Sequence, residues 1–260
     1  MTRNRGNPVS VDCYLSRRLD ALGYFGDFTP LDQDLHLHHL SSGITLDPFA
    51  RQLLVDGLSA LGLYLASRPH DEHVGWTISL QKPRMNLFFV GSPEDGSIIG
   101  RAFTEEGDVL PRDENIFICQ SKRAHGDGHE SIVDVQGIDI FAMVESYERR
   151  SEQKPSRYFS KGSRIALVQA LPQEDSSWLD LLTAEEAFHI PEESTAQHLG
   201  VRTFTLRCGC DARKIAATLL AAHEGSIDLL FGADPSLEVE CPRCGARLVL
   251  TREDCGGTSS

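Results

Sequence analysis

Apolar residues recur along the chain in two rhythms, one helical and one of period two, and the switches between them outline the elements. Phe49, Leu53, Gly57, Leu58, Leu61 and Leu65 fall on one face at helical spacing. Asp47 stands before them as an N-cap and Pro48 at the first helical position, so the pattern predicts an amphipathic helix over residues 47–66. Alternating stretches follow: "VGWTISLQ" (74–81), "MNLFFVG" (85–91), "SIIGRAFTE" (97–105), "NIFICQSK" (115–122) and "ESIVDVQG" (130–137) read as strands. Residues 138–149 read as a helix and "SRIALVQAL" (163–171) as a further strand. In "DLHLHHL" (34–40) the alternation predicts a half-exposed strand, with His36 and His38 on one face and Leu35 and Leu37 on the other. "HGDGH" (125–129) reads as a polar glycine turn. Strands with a few interspersed helices imply an α+β domain over residues 1–172, with Tyr147, Phe159 and Cys119 in its core.

From residue 173 to 206 the rhythm breaks. "QEDSSWLDLLTAEEAFHIPEESTAQHLG" is charged and interrupted by Pro191, and Thr183 with Glu186 fits a capping box. A linker with two short helices is expected, and Trp178, Leu179, Leu181 and Leu182 form its one apolar cluster. The last block, residues 207–260, holds a helix over 211–225 and a hairpin, "LEVECPRCGARLVLTRED".

Composition narrows the functions. The chain has 260 residues, 40% of them apolar, and a formal charge of −13. An acidic surface repels phosphate backbones, and residues 207–254 hold six basic against eight acidic side chains. Nucleic acid is therefore not expected as a partner. The helix over 47–66 is broken by Arg51, Asp56, Gly57 and Gly62, so no membrane span is expected. The opening "MTRNRGNPVSVDCYLS" has no apolar run of a secretory signal, so a cytoplasmic location is expected. In that reducing compartment, paired cysteines point to metal or redox chemistry.

Four of the seven cysteines are paired: Cys208 with Cys210 in "RCGCDAR", and Cys241 with Cys244 in "ECPRCGARL". In extended backbone Cys208 and Cys210 project to one side, and Gly245 can take the positive φ that curls the chain behind Cys241 and Cys244. Four thiolates fill the coordination sphere of one tetrahedral Zn2+ and leave no open position for water, with an iron–sulfur site or cysteines of a plain core as the other readings. A block this small buries too little apolar surface to stand alone, so the metal is expected to hold it folded. Cys13 and Cys255 have no visible partner.

The cysteine pattern is similar to the C-x-C…C-x-x-C zinc centre of the heat-shock protein 33 family, the redox-regulated holdase chaperones. "VESYERRSEQKPSRYF" (144–159) resembles that family's helix followed by R-S-E-Q-x-P, and "LQKPRMNLFFV" with "GRAF" resembles its glycine-spaced strands. The resemblance covers about residues 45–255, while the first 45 residues differ from the family's usual start and the linker is shorter. It implies an ATP-independent chaperone, inactive when reduced and zinc-bound. Oxidation would join Cys208 to Cys210 and Cys241 to Cys244, release zinc, unfold the C-terminal block and destabilise the linker. Unfolding client proteins would then bind and the protein would associate into dimers; Trp178, Leu179, Leu181 and Leu182 read either as the concealed client surface or as the anchor of the linker to the first domain. The other reading is a protein-binding adaptor with an inert structural zinc ribbon. No phosphate loop, nucleophile elbow or open metal site marks an enzyme. Ser151, Glu152 and Gln153 have no catalytic partner and read as structural.

Overall fold

In the computed structural model, residues 6–104, 112–172 and 176–255 are described. Glu105 at the end of one expected strand, residues 173–175 of the expected linker and residues 256–260 of the last block lie outside them.

The chain opens with a hairpin, β1 (Val9–Ser16) and β2 (Ala21–Asp27), then α1 (Thr29–Ser42) and α2 (Pro48–Ala66). β3 (Glu72–Gln81), β4 (Arg84–Ser92), β5 (Ser97–Phe103), β6 (Asn115–Arg123) and β7 (His129–Val135) follow, then α3 (Ile140–Arg150), β8 (Ser156–Lys161) and β9 (Arg164–Ala170). Two short helices, α4 (Trp178–Leu181) and α5 (Ala184–His189), lead into β10 (Ala196–Leu206). The last block is α6 (Ala212–Ala222), α7 (Ile227–Phe231) and a hairpin of β11 (Ser236–Glu240) and β12 (Arg247–Thr251).

Ten strands form one sheet in the order β7-β6-β3-β4-β5-β10-β1-β2-β9-β8, and β11-β12 form a separate ribbon. β10 lies inside the large sheet: it pairs antiparallel with β1, Val11 opposite Arg202, and parallel with β5 through Thr205–Ser97 and Leu206–Ile98. The last part of the expected linker, residues 196–206, is therefore sheet rather than connector. Its β-branched Val201, Thr203 and Thr205, one residue apart, suit a pleated strand.

The "DLHLHHL" stretch is helix α1, not a strand. Leu31, Leu35 and His39, four apart, form its buried side. Gly43, at φ +66°, closes it in the left-handed conformation, and the Ile44 N–H returns to the His39 carbonyl at 2.9 Å. The four-residue spacing and the glycine cap outweigh a local alternation of two leucines with two histidines.

Asp47 caps α2 as expected, its carboxylate accepting from the Phe49 and Ala50 N–H groups at 2.9 Å. The helix is not half-exposed, however: every residue from Gly57 to Ala66 is buried, and Phe49, expected to face the core, is 38% exposed. α2 crosses the inner face of the sheet, where Gly57 lets it approach. A Cβ there would lie 2.1 Å from the Phe89 ring. Around it Trp76 packs edge-on to Tyr64 and Phe117, and Tyr147 stacks on Phe117.

A buried polar network sits at the end of this core. Glu152 accepts hydrogen bonds from the Tyr64 and Tyr147 hydroxyls and, at 2.7 Å, from Arg68, which also pairs with Glu72 at 2.8 Å. One turn back in α3, Glu148 is fully buried and accepts from Ser156 Oγ and Gln169 Nε2, each at 2.7 Å. The S-E-Q segment thus ties α3 to α2, and Gln153 turns the chain there at φ +56°.

The other face of β2, β8 and β9 is covered by α4 and α5. Leu179 and Leu182 are buried there with Phe25, Phe159, Val168 and Ile190. Arg157 Nη1 donates to the carbonyls of Leu179, Asp180 and Leu182 at 3.0–3.1 Å, and the Thr183–Glu186 capping box forms as expected.

Candidate metal centre

The two cysteine pairs meet. Cys208 and Cys210 leave the end of β10 as an extended turn, with Gly209 between them at φ +66°. Asp211 then caps α6 by accepting from the Lys214 N–H, while Lys214 Nζ donates back to the Gly209 carbonyl at 3.0 Å. The second pair lies in the loop of the β11–β12 hairpin. There the Gly245 N–H donates to the Cys241 carbonyl at 2.8 Å and the Cys241 N–H to the Ala246 carbonyl at 2.9 Å, so both thiols point out of one tight turn. Gly245 suits this turn because its φ is +72°, and a Cβ there would also stand 2.8 Å from Ile44 Cδ1, which would have to shift.

All four sulfurs lie within 4.8 Å of one another, with Cys208 Sγ 3.6 Å from Cys241 Sγ and Cys210 Sγ 3.7 Å from Cys244 Sγ. A tetrahedron of thiolates at the usual zinc–sulfur distance of about 2.3 Å has edges of about 3.8 Å. The donor set fits a metal ion. Cys241 and Cys244 are each 2% exposed, and Cys208 and Cys210 half-buried. Their hydrogen bonds, that with Cys208 first, hold the Cys241 thiol well below its ordinary value and push Cys244 up. One thiolate is thus supported by neighbouring protons, and a divalent cation would take the place of those protons and offset two of the four thiolate charges. Cys13 and Cys119 are buried in the sheet domain, where loss of hydration pushes both thiols up, Cys119 to about 11. Cys255 packs with α6 and β12. Among the described residues, the one cluster of three or more such side chains that could hold a metal ion is that of Cys208, Cys210, Cys241 and Cys244.

The centre rests on the outer face of the sheet. Ile99 of β5 is buried beneath Cys241 and Cys244, with Val90, Leu206 and Ile215 around them. Arg101, on the same face two residues on, donates to the Cys241 carbonyl at 3.1 Å and pairs with Glu240. His38 of α1 meets the Cys244 carbonyl at 2.8 Å. A cavity of about 700 Å³ opens beside the sulfurs, lined by Val90, Ile99, Cys208, Cys210, Cys241 and Lys214, among others. Sequence reasoning missed Arg101 and His38. Arg101 lies in the glycine-spaced "GRAF" stretch, where a charged residue between apolar neighbours was the available signal; His38 stood out only as one of two histidines on an expected strand face, and its contact depends on α1 being helical.

Of the apolar linker residues, Leu179 is fully buried and Leu182 nearly so, Trp178 is partly buried against the same cluster, and Leu181 is 80% exposed. None of them adjoins the cysteines.

A strand-rich α+β domain carrying a small four-cysteine knuckle on its sheet is the class this architecture defines. The sequence matches the model of the Hsp33 protein family over residues 38–251, and the chain belongs to that family. The 33 kDa chaperonin of Ectopseudomonas mendocina (strain ymp) is 26% identical over 159 residues, and that of Yersinia pestis (strain Pestoides F) 25% over 157. Each alignment covers 50% of this chain and 54% of the relative, so the chain spans about half the length of the curated relatives it matches. The crystal structure of the 33 kDa chaperonin (heat shock protein 33 homolog) of Thermotoga maritima superposes with a TM-score of 0.68 at 15% identity. It covers 96% of this chain and 97% of that one, and so shares its fold. Among the described residues, no helix is long and apolar enough to cross a membrane.

Proposed function

We propose that this protein is a redox-regulated, ATP-independent holdase: reduced and zinc-bound it is inactive, and after oxidation it binds unfolding proteins. The single observation that carries the reading is the convergence of four sulfurs within 4.8 Å on an apolar patch of the sheet. Cys208, Cys210, Cys241 and Cys244 would hold Zn2+, which when bound would supply the positive charge that keeps four thiolates together. With every position taken by sulfur, such a centre is built to keep a structure rather than to activate water, so we read the protein as a binder and not as an enzyme.

Oxidation undoes the centre. Each disulfide takes two electrons from a pair of thiolates and reduces one peroxide to water, and two disulfides leave the metal without ligands. The cavity beside Cys208, Cys210 and Cys241 gives a small oxidant access. The family resemblance implies the pairs Cys208–Cys210 and Cys241–Cys244. The two short contacts run instead from Cys208 to Cys241 and from Cys210 to Cys244, so peptide mapping of the oxidised protein decides the pairing. Residues 207–255 have a small core of their own, in which Ala216, Phe231 and Leu250 are the buried members, and the metal supplies the rest.

Once the block unfolds, Ile99, Val90 and Leu206 lose their cover and can bind apolar client segments. Trp178, Leu179, Leu181 and Leu182 would join them if the α4–α5 segment also lifts from the sheet. The setting is the cytoplasm under oxidative or heat stress, with association into dimers in the oxidised state. The test is zinc release by peroxide under mild heating, followed together with the aggregation of a thermolabile client. The adaptor reading, with an inert zinc ribbon, stands instead if peroxide neither releases zinc nor changes client aggregation.

A further inference from the structure

We propose that Arg101 and His38 are positioning residues for the metal centre. By gripping the carbonyls of Cys241 and Cys244 they clamp the C-x-x-C turn to the sheet domain, and so set how readily the site gives up its metal. The inference rests on the zinc reading above and adds the residues that tune it.

The two halves of the centre reach the sheet by different means. The first half is continuous with it: Cys208 lies two residues beyond Leu206, and Arg207 between them is fixed. The Arg207 N–H donates to the Ile98 carbonyl at 3.0 Å and its guanidinium pairs with Asp95 at 2.8 Å. The second half has no such continuity, because β11 and β12 pair only with each other. Its turn is held from two sides. Arg101 reaches from β5, braced over the Phe103 ring at 4.6 Å, to the Cys241 carbonyl and the Glu240 carboxylate. His38 reaches from α1 to the Cys244 carbonyl at 2.8 Å, its Nε2–H donating. Ile44, just past α1, packs on Gly245 between these contacts.

Both polar contacts thus fall on the backbone of the two ligand residues themselves. For zinc to leave, Cys241 and Cys244 must move away from Cys208 and Cys210. A turn pinned to the sheet keeps its sulfurs within reach and returns a transiently detached ligand to the metal. Contacts made in the metal-holding arrangement add to metal affinity, and the metal in turn favours the contacts.

The experiment loads the reduced full-length protein with one equivalent of zinc and follows transfer to an excess of a colorimetric chelator. It compares wild type with Arg101→Ala, Arg101→Lys, His38→Ala and His38→Gln. Hydrogen exchange of the amides of residues 241–246 is measured on the same loaded proteins, with the melting of the sheet domain as control of the fold. The alanine variants should release zinc up to about tenfold faster, the scale of one hydrogen bond. Their turn amides should exchange faster, and His38→Gln, which keeps an N–H donor, should return towards wild type. If Arg101→Ala disturbs β5, the His38 pair decides alone. Transfer rates and turn exchange equal to wild type in the alanine variants overturn the clamp and leave the zinc site standing. A wild-type protein that takes up no zinc overturns both.

Discussion

As the pH rises, the sheet domain should lose the stabilisation that the buried, protonated Glu148 contributes. Its carboxyl is fully buried beneath α3, and burial outweighs the hydrogen bonds from Ser156 and Gln169, pushing its pKa from 4.5 up to about 7. The folded state therefore keeps this proton to higher pH than the unfolded chain does. The stabilisation is fully present below the unfolded value near 4.5 and is lost as pH rises through about 7. That displacement corresponds to about 3 kcal/mol, of which about 2 to 3 kcal/mol falls between about pH 5 and about pH 8. Other groups titrate in the same range. Burial lowers His39 to about 4, which costs stability as pH falls, and the cysteines bind metal less well in acid. The readout is accordingly a difference: urea unfolding of wild type and Glu148→Gln across this range, followed by tryptophan fluorescence. The glutamine keeps an oxygen to accept from Ser156 but cannot ionise, so wild type should lose about 2 to 3 kcal/mol relative to the variant as pH rises. Parallel stability curves for the two proteins, or a wild type that gains on the variant, would refute the reasoning.

Three further outcomes follow from the packing. Glu152→Ala leaves two tyrosine hydroxyls and Arg68 short of their acceptor, and should cost about 3 kcal/mol, read as a drop in melting temperature of the reduced protein; a loss under about 1 kcal/mol would mean that Glu72 alone suffices for Arg68. Leu179→Ala should cost about 2–5 kcal/mol, whereas Leu181→Ala, at a position 80% exposed, should leave denaturant unfolding nearly unchanged; equal effects would contradict the placement of α4. Chelation of the metal from the reduced protein should unfold residues 207–255 while β1–β10 keep their hydrogen-exchange protection; protected amides in α6 and β12 without metal would show that the block stands alone.

Much of this molecule was readable where one interaction type dominated. α2 and the strands β3–β7 announced themselves by period and caps, and the cysteine spacing led to one point in space because sulfur chemistry leaves few alternatives. The misreadings share a cause. "DLHLHHL" offered a short alternation, but its four-spaced Leu31, Leu35 and His39 found a core to face, and tertiary burial overrode the local rhythm. β10 sat behind a charged, proline-broken stretch, and only pairing with β1 and β5, far away in sequence, makes it a strand. The helix expected over 47–66 is buried on all sides from Gly57 to Ala66, where α3 and the sheet close around it, which a single-face pattern does not express. Arg101 and His38 were invisible as a pair, since one lies on a strand and the other on a helix, and only the fold brings both to the cysteine turn.

The most direct test of the account joins metal to client in one experiment. The reduced protein is mixed with a thermolabile client, peroxide is added at mildly elevated temperature, and released zinc is measured beside light scattering. The account predicts one zinc per chain in the reduced protein, its release as four thiols are lost, and suppression of client aggregation only after that release. Zinc leaving with no protection of any client, or protection already complete in the reduced, zinc-bound protein, would contradict it.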